Sequence, residues 1–193
     1  MDNNLYQGEL VRLVAEDSQT IAECFSRWQR DSEYWRLLDS DPTRLPSPMR
    51  VKEWVEKELM KDPPDLFWFM IRTLEDDRLI GDTGLDGIRW SHGDAFVGIG
   101  VGERQYWNKG YGTDAMRIML RFAFAELNLH RVTLNVFEYN RRAMRSYEKA
   151  GFTIEGRQRG WIHRDGKRYD LIYMGLLRSD WEASKDQKLD TVT

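Results

Sequence analysis

The sequence predicts a single α/β domain. Three observations carry that expectation: several segments repeat apolar residues at spacings of three and four, strand-like apolar runs stand between them, and no linker-like change of composition divides the 193 residues. A chain of this length buries one sizeable core and is marginal for two. Eight Trp, eight Tyr and eight Phe are more than an ordinary core needs, so part of that load is available for pocket walls.

Taken in order, residues 8 to 14, GELVRLV, alternate enough for a first strand. Asp17 and Ser18 are capping residues for a helix through QTIAECFSRWQR, on which Ile21, Cys24, Phe25 and Trp28 form one apolar stripe. Cys24 lies in that stripe and reads as a buried structural thiol. A short helix is expected around Glu33 to Leu38, then a loop from Asp39 to Pro48, then a helix from Val51 to about Lys61 closed by Pro63 and Pro64. This helix-loop-helix could cover a ligand or simply pack beside the sheet.

From Leu66 the pattern becomes strand-like. LFWFMIRTL and RLIGDTGLDGIRW are neighbouring strands joined at EDD, and DAFVGIGVG is a strand interrupted by Gly98, Gly100 and Gly102. A helix is expected from about Gly110 to Asn128, with Met116, Leu120, Ala123 and Leu127 on its apolar face and Met119 and Phe122 beside it. HRVTLNVF is a strand, RRAMRSYEKA a helix stopped by Gly151, and GFTIEGRQRGWI with RYDLIYMGLL a closing pair turned at the Asp-Gly of RDGK. The domain is expected to span residues 1–180, with 181–193 a polar tail whose last stretch, DQKLDTVT, frays.

The bulk numbers exclude several functions. A net charge of −3 and a pI near 5.7 give no general attraction for nucleic acid. One cysteine allows no disulfide within the chain and no cysteine-rich metal motif. The start MDNNLYQGEL does not read as a signal peptide, and no run of about 18 apolar residues could span a membrane, so a cytoplasmic protein is expected. His92, His130 and His163 form no ligand spacing, and nothing calls for a metal.

One stretch carries chemistry. In QYWNKGYGTDAMRIML, Asn108, Lys109, Gly110, Tyr111, Gly112 and Thr113 form a glycine-bearing turn entering an amphipathic helix. Glycine lets a bulky anion approach the backbone, and the first helical amides lack internal partners while the aligned peptide dipoles favour negative charge there. Those properties suit a diphosphate. On residues alone, a glycine turn that merely starts a helix is an equal reading, since neither usual nucleotide fingerprint fits.

The longer segment YWNKGYGTDAMRIMLRFAFAELNLHRVTLNVFEYNRRAMRSYEKAGFTIEGRQR resembles the GNAT superfamily of acyl-CoA N-acyltransferases, in particular the branch of Rim-type ribosomal-protein N-terminal acetyltransferases and spermidine acetyltransferases. The likeness runs from about Leu10 to Leu177 and is sharpest between Gly98 and Gly156, where two motifs occur in order. It implies a GNAT-like fold: one mixed, mostly antiparallel sheet flanked by helices, with a splayed strand pair forming the acyl-CoA cleft. It also implies that the backbone at Asn108 to Thr113 holds the diphosphate of acetyl-CoA. Trp107 stands where the family pattern often has Gln or Arg, a departure at the rim of that seat.

The same resemblance has Asn140 orient CoA or the turn near it and aims the Tyr147 hydroxyl at the thioester sulfur, where a phenol can donate a proton. Without it, Tyr147 is an ordinary packing residue. Arg141 and Arg142 are the favoured cations for CoA phosphate, with Arg145 and Lys149 on the same helix. Glu103 is the favoured general base and Glu138 a second candidate, although a neutral amine needs neither. Asp82 and Asp86 could recognise an amine, and Trp35 among the tryptophans is placed nearest the acceptor entrance. The expected activity is acetyl transfer from acetyl-CoA to a primary amine, either a peptide N-terminus, a polyamine or another small amine. The alternative is a non-catalytic acyl-CoA-binding or sensory module. A homodimer fits the branch, although no sequence feature marks an interface.

Overall fold

Alternation along one strand shows how the layers arise. The computed structural model describes residues 4–61 and 66–189. In chain order its elements are β1 (Val11–Val14), α1 (Ser18–Trp28), α2 (Ser32–Leu38), α3 (Pro48–Leu59), β2 (Leu66–Thr73), β3 (Leu79–Arg89), β4 (Asp94–Val101), α4 (Tyr111–Arg121), β5 (Arg131–Phe137), α5 (Arg141–Ala150), β6 (Thr153–Arg164), β7 (Lys167–Leu177) and α6 (Arg178–Leu189). On β2, Met70 packs with Phe25, Trp28 and Val55 of the first helices, whereas its neighbour Ile71 packs with Met116, Met119 and Leu120 of α4. Successive side chains of a strand leave opposite faces, so the sheet is covered by helices on both sides.

Among the described residues the sheet has seven strands in the order β1-β2-β3-β4-β5-β7-β6. Only β4 and β5 run parallel; the other neighbours are antiparallel, as a mixed GNAT-like sheet requires. A parallel pair needs a crossover, and α4 supplies it. Asp165 and Gly166, with φ of 49° and 75°, make the expected tight turn between β6 and β7. Among the described residues no helix is long and apolar enough to cross a membrane.

Caps place the helices. Asp17 accepts from the amides of Gln19 and Thr20, Asp31 from those of Glu33 and Tyr34, and Ser47 from that of Arg50. Proline follows Ser47 as the first residue of α3. Pro63 and Pro64 lie outside the described residues, and α3 itself ends at Leu59. The helix expected over 110–128 is regular only to Arg121. It then widens over Phe122–Glu126, where the Leu127 amide bonds the Phe122 carbonyl. Phe122 thereby meets Phe67 and Phe69, while Phe124 meets Trp181. Trp181 belongs to α6 and packs on the core, so the polar tail expected from residue 181 continues as helix to Leu189.

Two carboxylates, Asp114 buried and Glu103 partly buried, tie the parts together. Asp114, in the first turn of α4, accepts from the amides of Glu9, Leu10 and Val11 at 3.2, 2.8 and 3.1 Å, clamping the chain start to the helix. Gly8 is required there, because a Cβ would stand 2.4 Å from the Asp114 carboxylate. Glu103, just past β4, accepts from Arg27 at 2.8 Å, from the Trp28 indole at 3.0 Å and from Arg78 at 3.2 Å, tying α1 to the sheet.

Replacing Asp114 by Ala leaves three inward amides without an acceptor and should cost about 3 kcal/mol in denaturant unfolding. The bonds from Trp28 and Arg27 outweigh the burial of Glu103 and hold its carboxyl below the ordinary glutamate value. Stability from such a group is present at neutral pH and is lost as pH falls through its folded value. Glu103→Gln should therefore lower the thermal midpoint at neutral pH, with the gap to wild type closing below about pH 4.

Candidate active site

The cleft forms where β4 and β5 stop pairing. Their register holds for Asp94 with Arg131, Ala95 with Val132 and Phe96 with Thr133, and then ends. Beyond that point β4 stays paired with β3 and β5 with β7, so the gap between them widens toward the start of α4. A cavity of about 690 Å³ occupies it, walled by β4, β5 and the starts of α4 and α5, with α2 over one end. The open edge of β4 from Val97 to Val101 leaves backbone groups for an extended ligand to pair with.

At the other end lies the glycine turn. Gly110 takes the N-cap of α4 with φ 94°, a left-handed conformation that a side chain would strain, and no side chain caps the helix. Its first amides are therefore free for an anion. Asn108 (φ 61°), Gly110, Gly112 and Thr113 line the cavity, whereas the side chains of Lys109 and Tyr111 do not. The Thr113 hydroxyl lies 2.7 Å from that of Ser146, joining the turn to α5. Ser146 also lines the cavity and was not singled out in the sequence, where a lone helical serine carries no signal.

Trp107 fills the rim. Its indole donates to the Val101 carbonyl at 2.6 Å, and its ring carries the Arg142 guanidinium at 3.5 Å and that of Arg104 at 5.0 Å. Burial lowers the pKa of Arg142, although a guanidinium remains charged throughout the working range. Arg142, Arg145 and Lys149 line the cavity and Arg141 does not, because positions 142, 145, 146 and 149 share one face of α5.

Tyr147 stands in the same wall, nearly buried, with its ring edge-on to Phe152. Burial raises its pKa to about 12, against a smaller opposing effect of Arg142, so its hydroxyl stays protonated and can donate. Asn140 lines the cavity and also caps the helix beside it. Its side-chain oxygen accepts from the Ala143 amide, capping α5, and its amide nitrogen donates to the Leu37 carbonyl at 3.1 Å. The neighbouring Tyr139 hydroxyl donates to the Arg36 carbonyl at 2.7 Å. The start of α5 thus holds the end of α2.

Neither glutamate singled out as a base faces the cavity. Glu103 is held among Arg27, Arg78 and Trp28, and Glu138 accepts from Arg157 and from the Asp170 amide. Both are ion-paired with arginine, and the pairing keeps Glu103 ionised. On α2 it is Tyr34, not Trp35, that lines the cavity. Cys24 is buried as expected, and burial raises its pKa. His92, His130 and His163 are exposed, and among the described residues no cluster of His, Cys, Asp or Glu could hold a metal ion.

Comparison with known proteins agrees with this architecture. The model of the Acetyltransferase (GNAT) domain matches residues 9–153. The N-acetyltransferase YokL of Bacillus subtilis, described as prophage-derived and uncharacterized, is 33% identical over 155 residues, 80% of this chain and 84% of its own. Another B. subtilis relative, named "Putative ribosomal N-acetyltransferase YdaF", is 27% identical over 176 residues, 91% and 94% of the two chains. The structure of spermidine N-acetyltransferase from Vibrio cholerae, in complex with CoA and spermine, superposes with a TM-score of 0.77 at 22% identity, over 89% of this chain and 97% of that one. The parted strands, the uncapped glycine turn and the family match together establish that this chain belongs to the GNAT family of acetyltransferases.

Proposed function

We propose that the chain transfers an acetyl group from acetyl-CoA to a primary amine, with both substrates held in the cleft together and no covalent enzyme intermediate. The observation that carries this reading is a convergence: the free amides of α4 and the buried phenol of Tyr147 face one cavity between parted strands. Acetyl-CoA supplies a thioester whose carbonyl accepts the amine and whose sulfur leaves. The residues present suit such a group. The amides at Gly110 to Thr113 offer several donors to a diphosphate, Arg142, Arg145 and Lys149 offer positive charge, and the open edge of β4 offers pairing to an amide-bearing arm.

Tyr147 then acts as the acid that protonates the leaving sulfur. Holding two reactants in register replaces a bimolecular encounter, which can contribute as much as any acid or base. The acceptor class is a peptide N-terminus, a polyamine or another small amine. The names of YdaF and of the Vibrio enzyme, which refer to ribosomal and spermidine acetylation, support that range.

The test combines acetyl-CoA with a panel of primary amines and follows free thiol and product mass together. One thiol should appear per acetyl group gained by an amine. Saturable CoA binding without product from any amine would instead leave a binding module. Tyr147→Phe should lower kcat by about 100-fold or more while CoA affinity stays within about twofold.

A further inference from the structure

The end of the cleft beneath α2 holds two oxygen atoms that the transferase reading does not use. Tyr34 is buried at 4% exposure, lines the cavity, and its hydroxyl has no hydrogen-bond partner among the described residues. Asp82, partly buried on β3, accepts from the Trp68 indole at 3.0 Å through Oδ2, which leaves Oδ1 available. The two oxygens flank the bare face of Gly100 on β4: a Cβ there would stand 2.7 Å from the Tyr34 hydroxyl and 3.1 Å from Asp82 Oδ1. Gly100 pairs with Asp82 across the strands and lines the cavity, so this face belongs to the cleft.

An unpartnered buried hydroxyl is costly, and a carboxylate without a cation beside it is more so. No ion pair engages Asp82 among the described residues. Both costs disappear if a positively charged N–H donor enters between the two groups. We infer that Asp82 and Tyr34, over the open face of Gly100, form the seat for the primary ammonium group of the acceptor, and that Asp82 Oδ1 takes its first proton. The inference rests on the transferase reading for the fate of the amine.

The proton inventory closes. The ammonium gives one proton to the Asp82 carboxylate, which passes it to solvent. The neutral nitrogen bonds to the thioester carbonyl carbon, the carbon–sulfur bond breaks, and the sulfur takes the Tyr147 proton. The nitrogen then loses its second proton, and Tyr147 is restored. Burial supports Asp82 in this part by raising its carboxyl to about 6, with the Trp68 bond opposing, so it is ionised at neutral pH and still basic. Of the elements packed around it, α2 presents Tyr34, β2 presents Trp68, which does not titrate, and β4 presents Gly100. The charge of Asp82 in turn raises the Tyr34 pKa, second to burial.

The Trp68 indole N–H reports on Asp82 directly. Its proton resonance, assigned with Trp68→Phe, should titrate with a midpoint near 6 in the free protein. Butylammonium should lower that midpoint by about one unit, as a nearby opposite charge does, and 1-butanol should not. In Asp82→Asn the titration and the butylammonium response should both vanish. That variant should also be no less stable than wild type above the midpoint, because a raised carboxyl pKa costs stability as pH climbs through it. Tyr34→Phe should keep the titration and weaken butylammonium several-fold. Equal responses to amine and alcohol, or an unchanged response in Asp82→Asn, would overturn the inference. The titration is read without CoA, so its failure removes the ammonium seat alone, whereas failure of CoA binding removes the transferase reading.

Discussion

Everything at the site depends on β4 and β5 running parallel and parting after three residue pairs. Parallel pairing forces α4 to cross over, and the crossover brings its first turn to the mouth of the gap. Had the two strands remained zipped, the edge of β4 would be occupied, and α4 would open onto protein instead of a cavity. The gap persists because each strand has a full partner on its other side, β3 for one and β7 for the other, so neither relies on the missing pairs.

Much of this was legible before any coordinates. The α4 turn announces itself through glycine spacing next to an amphipathic run, and Gly110 does adopt the left-handed angle that such a spacing favours. Asp17 and the Asp-Gly of the last hairpin are local signals whose physics is complete within a few residues, and they land where expected, whereas Ser18 begins α1 and bonds Glu56 instead of capping it. Glu103 shows the limit. The sequence gives its type and neighbourhood, but whether a carboxylate faces a cleft or two arginines depends on partners 25 to 76 positions away. The pairing of Asp82 with Tyr34 is hidden for the same reason: the two meet only once α2 folds over β3 and β4.

Aromatic residues divide between the tasks the composition suggests. Phe122 and Phe124 fill core, and the widened turn of helix between them lets neighbouring rings reach different partners. Trp107 and Trp68 instead act through their indole nitrogens and faces, one securing the rim of the turn and the other holding a carboxylate. The Trp107 ring supports the guanidinium of Arg142 at the cavity.

The bonds from Tyr139 and Asn140 to the last carbonyls of α2 have a mechanical consequence. These bonds form one hydrogen-bonded link between the start of α5 and the end of α2, two walls of the same cavity. Arg164 extends it by gripping the carbonyls of Asp39, Ser40 and Asp41 in the loop that follows. α2 cannot shift relative to α5 without giving up these bonds, so the two walls behave as one mechanical unit.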